Sequence, residues 1–185
     1  MINEVLQETR ERMGKSEKAF EKELSKVRTG RASQAVLDGV KVDYYGTQTP
    51  LPQMATVSIP ESRLITVKPW DVSVINEVEK AILKANLGMT PSNDGKLIRI
   101  SIPPLTEERR KEIAKNVAKT CEDYKVAVRN IRRDSNEMLK DLQKDGEISE
   151  DDTFKAQKLV QEATDESIKK LDDIFARKEK EILEV

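Results

Sequence analysis

Three arginines, Arg129, Arg132 and Arg133, stand at i, i+3 and i+4 in the stretch VAVRNIRRDSN. On a helix that spacing puts them on adjoining surface. Each guanidinium is a planar, permanently charged fork that can grip a phosphate through two hydrogen bonds, which an ammonium does not match. Lys111, Lys115, Lys125 and Lys140 fall beside them, interrupted mainly by Ala118, Glu122 and Asn136. A basic row of this kind is either an ordinary solvated face or a phosphate-binding ridge. A second group, Lys26, Arg28 and Arg31, lies in KVRTGRAS. Cations there either complement the C-terminal end of a preceding helix or extend the ridge.

The chemistry that is missing narrows the choice. The chain has no histidine for general acid–base work, and its one cysteine, Cys121, has no histidine partner. Cys121 falls on an apolar stripe and reads as core. RTGRAS is too short for a phosphate loop, and the acids of GEISEDD suit a helix start better than a calcium loop. The expectation is therefore a non-enzyme with no catalytic residue, no cofactor and no metal. Tyr44, Tyr45 and Trp70 could stack on bases, but aromatics in a small sheet read first as core; Trp70, after Pro69, is the one placed for partial exposure. A single cysteine fits a reducing compartment, and MINEVLQETRERM lacks the apolar centre of a signal peptide. No run of about 18 apolar residues occurs, so no membrane span and a cytoplasmic location are expected.

The arginines need a long helix to carry them. Residues 105–145 supply one, with Thr106 placed as N-cap, Glu107 and Glu108 in the first turn, and Gly146 suited to a left-handed end. Ile113, Val117, Cys121, Tyr124, Val128, Ile131, Ser135, Met138 and Leu142 form its near-heptad stripe. A helix of about 38 residues is roughly 57 Å long at 1.5 Å per residue, and its stripe needs partners to bury it. Residues 2–29 give a second amphipathic helix through Met13, Phe20 and Leu24, with Gly14 inside it and Gly30 as terminator. Gly14 either weakens that helix or lets another approach closely. Ser149 and Asp152 form a capping-box pattern that opens a third, with Phe154, Val160, Ala163, Ile168, Leu171 and Ile182 on its stripe. The short link between the last two helices predicts an antiparallel bundle.

Between the first two helices the composition changes. All seven prolines lie between Pro50 and Pro104, and four of the seven glycines between Gly39 and Gly95. Residues 40–46, 55–59, 63–70 and 96–102 read as four strands. TQTPLPQ reads as a loop or Pro-bounded turn, TPSNDG as a turn cluster, Pro60 as the end of a strand, and 74–86 as a helix capped by Ser73 and ended by Gly88. Mean hydropathy is −0.64 and 36% of residues are charged, as long wet-faced helices require. The last segment, 146–185, holds 7 basic and 12 acidic side chains, suggesting charge pairing between helices. The fold class expected is α+β: a three-helix bundle formed by 1–30 and 105–185, interrupted by an inserted small β/α/β domain at 31–104. Glycine on one crossing and Pro-Pro on the other suggest a double-stranded hinge.

The stretches KVRTGRAS, DYYGTQTPLPQMA, NLGMTPSNDGKLIRISIPPLTEERRKE, VAVRNIRRDSN and GEISEDD together resemble the bacterial ribosome recycling factor family, in order and spacing from end to end. The resemblance implies an elongated, L-shaped, two-domain monomer. It implies binding to the large ribosomal subunit through 23S ribosomal RNA, and splitting of the post-termination ribosome with elongation factor G and GTP, with initiation factor three acting downstream. It assigns RNA contact to Arg28, Arg31, Arg110, Arg129, Arg132 and Arg133. It puts the hinge at Gly30 and Arg31 on one crossing and at Pro103, Pro104 and Leu105 on the other. The competing classes are an adaptor coiled coil that self-associates through its heptads, and a general RNA-binding module.

Overall fold

The structure, a computed structural model, describes residues 1–184. It contains helices α1 (Ile2–Ser25), α2 (Ile75–Lys84), α3 (Glu107–Lys144) and α4 (Glu150–Leu183). The strands are β1 (Lys41–Tyr44), β2 (Thr47–Pro50), β3 (Ala55–Glu61), β4 (Leu64–Pro69), β5 (Pro91–Asn93) and β6 (Ile98–Ser101). The described chain falls into two compact units, Met1–Val27 with Arg110–Glu184, and Arg28–Arg109.

The first unit is a bundle of α1, α3 and α4. Thr9 meets Ser135, Arg12 meets Asp134, and the rings of Phe20 and Tyr124 lie 5.1 Å apart, so α1 and α3 run in opposite directions. Glu17 pairs with Lys170 at 3.5 Å and Glu21 with Arg177 at 3.7 Å, so α4 runs parallel to α1. One apolar cluster centres on Phe20, Cys121, Val128 and Leu171; a smaller one holds Val5, Leu139, Ala156 and Val160.

Local chemistry sets the helix ends. Thr106 Oγ1 accepts from the Arg109 N–H at 3.2 Å, as an N-cap does. At the far end of α3, Gly146 takes φ +75°. The Glu147 N–H reaches back to the Leu142 carbonyl and the Gly146 N–H to that of Gln143, which closes the helix in a Schellman motif. Ser149 Oγ accepts from the Asp152 N–H at 3.1 Å and donates to Asp152 Oδ2 at 2.6 Å. The box at α4 thus closes on the serine hydroxyl.

Three expectations for the bundle need correction. The first helix stops at Ser25, before Gly30, because the Ser25 hydroxyl takes the Lys22 carbonyl at 2.6 Å while the Lys26 and Val27 N–H groups turn back three residues, to Glu23 and Leu24. Phe154 is 73% exposed; Thr153 and Ala156 take the inward positions instead, so the apolar stripe starts out of phase with it. Gly14 has no atom within 4 Å of where a Cβ would stand, so no helix approaches it closely.

The second unit has six strands where four were expected. TQTP is not a loop: β2 pairs antiparallel with β1 through a two-residue turn at Tyr45 and Gly46, with φ +49° and +84°. The turn lacks the Asn-Gly signature that announces a hairpin, so the pattern hid it. The other sheet is antiparallel in the order β3-β4-β6-β5, and the supposed turn at TPSNDG supplies β5. β3 continues through Pro60 to Glu61 because the proline sits on an edge strand at an irregularity between Ser58 and Glu61. Ile75, Val78 and Ile82 of α2 join the sheet's Ile65, Val67 and Ile98 in one core. Ser73 does not cap α2, whose N-cap is Val74 without a side-chain bond. Asp71 instead accepts the Ser73 N–H at 3.0 Å and caps the 3-10 turn Val72–Val74 that leads into it, and Asn86 turns left-handed two residues before Gly88.

Candidate functional site

In the first unit α3 carries Arg129, Arg132 and Arg133 on neighbouring turns, as the spacing required. Arg129 Nη1 lies 2.9 Å from Glu122 Oε1, so part of its charge is answered within the helix. Arg132 Nη1 donates to Gln161 Oε1 of α4 at 3.1 Å, and Arg133 Nη1 to Asn130 Oδ1 at 3.4 Å. Those two acceptors are neutral amides. They orient the guanidinium groups and leave their charge uncompensated, since among the described residues neither arginine forms an ion pair with a carboxylate. Each guanidinium has five N–H donors, so most of its donor set stays open to a ligand. Arg133 is exposed, and Arg129 and Arg132 are half-buried.

Lys125 does not belong to this row. Its side chain is 18% exposed and bonds Asp172 of α4 at 2.5 Å, with Glu122 at 3.9 Å. The Asp172 hydrogen bond raises the ammonium pKa, against the opposing effect of burial. It pairs helices instead of facing a ligand. Arg110 is half-buried near the start of α3.

In the second unit Arg28 and Arg31 are both exposed. Arg28 Nη1 lies 3.6 Å from where a Cβ on Gly88 would stand, so the side chain runs over that glycine. Gly30 is buried at φ +79°, with Leu105 Cγ 3.3 Å from its virtual Cβ. The two chain crossings are pinned to one turn: the Ala32 N–H donates to Ser62 O at 2.7 Å, and the Ile102 N–H to Arg63 O at 2.8 Å. Pro103 and Pro104, which follow at once, are exposed and have no N–H to pin. All five residues expected at the hinge lie within the second unit.

Sequence reasoning missed the residues that tune the arginines. Glu122 interrupts the row in sequence yet proves to be the partner of Arg129, and nothing in the sequence marks Gln161. The i−7 spacing from Arg129 to Glu122 was a usable signal; the contact from Arg132 to α4 had none. Tyr45, expected in the sheet core, is 75% exposed, while Trp70 is 66% exposed as its position suggested. No helix of the described residues is long and apolar enough to cross a membrane.

Comparison with known proteins agrees with this architecture. The family model described as ribosome recycling factor matches residues 20–183. A ribosome-recycling factor of Desulforapulum autotrophicum is 71% identical over 185 residues, covering all of both chains, and one from Bacillus licheniformis is 55% identical over the same length. Among solved structures, a solution structure of a ribosome recycling factor superposes with a TM-score of 0.80 at 37% identity, covering 100% of this chain and 98% of that one. Another match has a TM-score of 0.66 at 45% identity over 99% of both chains. It comes from models of the T. thermophilus ribosome recycling factor and the E. coli elongation factor G bound to the E. coli post-termination complex. The fold and these matches place the chain in the class of ribosome-directed translation factors. It belongs to the ribosome recycling factor family.

Proposed function

We propose that this protein recycles ribosomes. It binds the post-termination ribosome on the large subunit and, with elongation factor G and GTP, splits it into subunits, freeing messenger RNA and deacylated transfer RNA. Initiation factor three acts downstream. The observation that carries this reading is the end-to-end match to recycling factors. The α3 row with two arginines lacking a carboxylate partner is consistent with it. It acts as a cytoplasmic monomer and catalyses no covalent change.

In this reading Arg129, Arg132 and Arg133, with Arg110, Arg28 and Arg31, hold phosphates of 23S ribosomal RNA. Backbone contacts of this kind fix position and orientation and carry no sequence code. The bundle, 1–30 with 105–185, is the anchored body, and the inserted domain at 31–104 is the part the translocase engages. Gly30 and Arg31 on one crossing, and Pro103 to Leu105 on the other, form the hinge. Left-handed Gly30 and two prolines without N–H groups support that role.

The test is light scattering of post-termination ribosomes mixed with this protein, elongation factor G and GTP. A fall in scattering that needs all three components is expected. No fall on ribosomes that another recycling factor splits would defeat the reading.

A further inference from the structure

The second unit displays aromatic rings that its own packing does not use. Tyr45 is 75% exposed and Trp70 is 66% exposed, yet polar tethers hold both in place. Trp70 Nε1 donates to Thr56 Oγ1 at 2.9 Å. The Tyr45 hydroxyl donates to Asp71 Oδ2 at 3.4 Å and lies 3.5 Å from Ser73 Oγ, and the Tyr45 ring meets that of Tyr44 edge-on at 4.7 Å. Asp71 follows Trp70 in the chain and takes two further bonds, from the Ser73 hydroxyl at 2.6 Å and the Ser73 N–H at 3.0 Å. These Ser73 bonds, with smaller help from the tyrosine hydroxyls, hold its carboxyl below the usual range, so it is ionised at neutral pH.

The backbone supplies an independent observation. Tyr45 sits at φ +49°, the first central residue of the β1–β2 turn. Asn, Asp and Gly adopt that conformation readily, and a ring-bearing residue does so at a cost. The ring gains little burial in return. Strain kept under an exposed aromatic points to use outside the fold.

Exposed ring faces attract cations through their quadrupole, and an ionised carboxylate attracts them by charge and hydrogen bonding. The same carboxylate repels phosphate, so this surface suits a protein and not RNA. We propose that Tyr45 and Asp71 form a seat for an arginine or lysine side chain on a protein partner, with Trp70, next to Asp71 in the chain, as a second exposed ring at its border. The moment at which that partner is met, during recycling, rests on the functional reading above.

Trp70 is the one tryptophan of the chain and adjoins Asp71, so its fluorescence senses a charge bound there. Acetyl-arginine amide is expected to change the emission, and equal concentrations of acetyl-glycine amide or inorganic phosphate are not. Asp71→Asn keeps a side chain able to cap the following turn, and should reduce the arginine response about twofold or more by removing the charge. No response in the wild type, or equal responses in the two proteins, overturns the seat.

On ribosomes, Tyr45→Asn should keep or raise the thermal midpoint, because asparagine suits the turn. It and Asp71→Asn should each raise the concentration for half-maximal splitting roughly fivefold, the effect of losing one modest cation contact. An unchanged concentration overturns the protein-partner assignment. So does improved splitting by Asp71→Asn, which would mean that a phosphate faces the carboxylate. If the wild type fails to split ribosomes on which another recycling factor works, the functional reading falls and the fluorescence titration still decides the seat.

Discussion

Thr9 Oγ1 and Ser135 Oγ lie 2.6 Å apart across the α1–α3 contact, and both residues are almost fully buried. Carbonyls four residues back also lie in reach, Val5 O at 2.7 Å from Thr9 Oγ1 and Ile131 O at 2.9 Å from Ser135 Oγ, so one hydroxyl donates across the contact while the other donates to the carbonyl of its own helix. The pair stands between the larger apolar cluster and the smaller one around Val5 and Leu139. A heptad stripe alone tolerates slippage by a whole repeat. A buried polar pair does not, because any other register leaves a hydroxyl facing hydrocarbon.

Thr9→Val and Ser135→Ala should each destabilise the protein by about 1 kcal/mol, and the double variant by less than the sum, with a coupling of about 0.5–1 kcal/mol. Urea unfolding of the four proteins closes the cycle. Strict additivity would mean that each hydroxyl serves its own helix alone.

Gly14 is the opposite case, a weakness without a visible use. It lies inside α1 with nothing within 4 Å of a virtual Cβ. Gly14→Ala should stabilise the protein by about 0.5–1 kcal/mol through helix propensity and reduced freedom of the unfolded chain. A lower thermal midpoint for the alanine variant would show that the site needs the glycine for a reason outside the packing described.

These contrasts show what the sequence could disclose. The long stripes of α1 and α3 were legible because apolar residues recur over many turns, and Thr106, Gly146 and Ser149 marked ends by local hydrogen bonding. The short strands β2 and β5 were not, because four and three residues carry too little periodicity, Tyr45 is unusual in a two-residue turn, and Pro91 opens β5 where a proline argues against a strand. The positions of Arg129, Arg132 and Arg133 followed from spacing. Their pairing followed only in part: Glu122, seven residues before Arg129 on the same helix, was within reach of the spacing, but Gln161 is on another helix, so only tertiary structure reveals what orients Arg132.

Gly30 joins conformation to contact. Its φ of +79° disfavours any side chain, and a Cβ would press Leu105 Cγ at 3.3 Å. Gly30→Ala should destabilise the second unit by about 1–2 kcal/mol from the left-handed backbone alone. Adding Leu105→Ala should relieve the contact and leave the backbone component. Full recovery in the double variant would mean that the contact, and not the backbone, is what excludes a side chain.

Cys121 links burial to pH. Burial raises its thiol pKa above the usual 9.0, with Asp172 and Glu122 adding to the rise and Lys125 opposing it. A raised folded value means that the unfolded chain ionises first. Stability is therefore unaffected below about pH 9 and falls as pH climbs from there through the folded value. Cys121→Ala should flatten that decline in thermal midpoints measured between about pH 8 and 10. The native thiol should also resist an aromatic disulfide reagent at pH 8, and rapid reaction would contradict its 3% exposure.

The arginine row makes the sharpest separation of charge from geometry. Arg129 shares its charge with Glu122, whereas Arg132 and Arg133 are oriented by neutral amides. Glu122→Gln should therefore tighten binding to the large subunit at low salt by releasing Arg129, while Arg132→Gln and Arg133→Gln weaken it. Each lost phosphate contact should lower the salt slope of the binding constant by roughly 1. Arg132→Lys and Arg133→Lys keep the charge and lose the two-pronged fork, so their salt slopes should match the wild type while affinity falls by about 1 kcal/mol. Helical circular dichroism should be unchanged throughout. If lysine restores full affinity, the row acts as a point-charge field and not as a set of bidentate grips. If Glu122→Gln weakens binding, the Glu122–Arg129 pair is a positioning contact whose loss misdirects the guanidinium, and the row is built by orientation before charge.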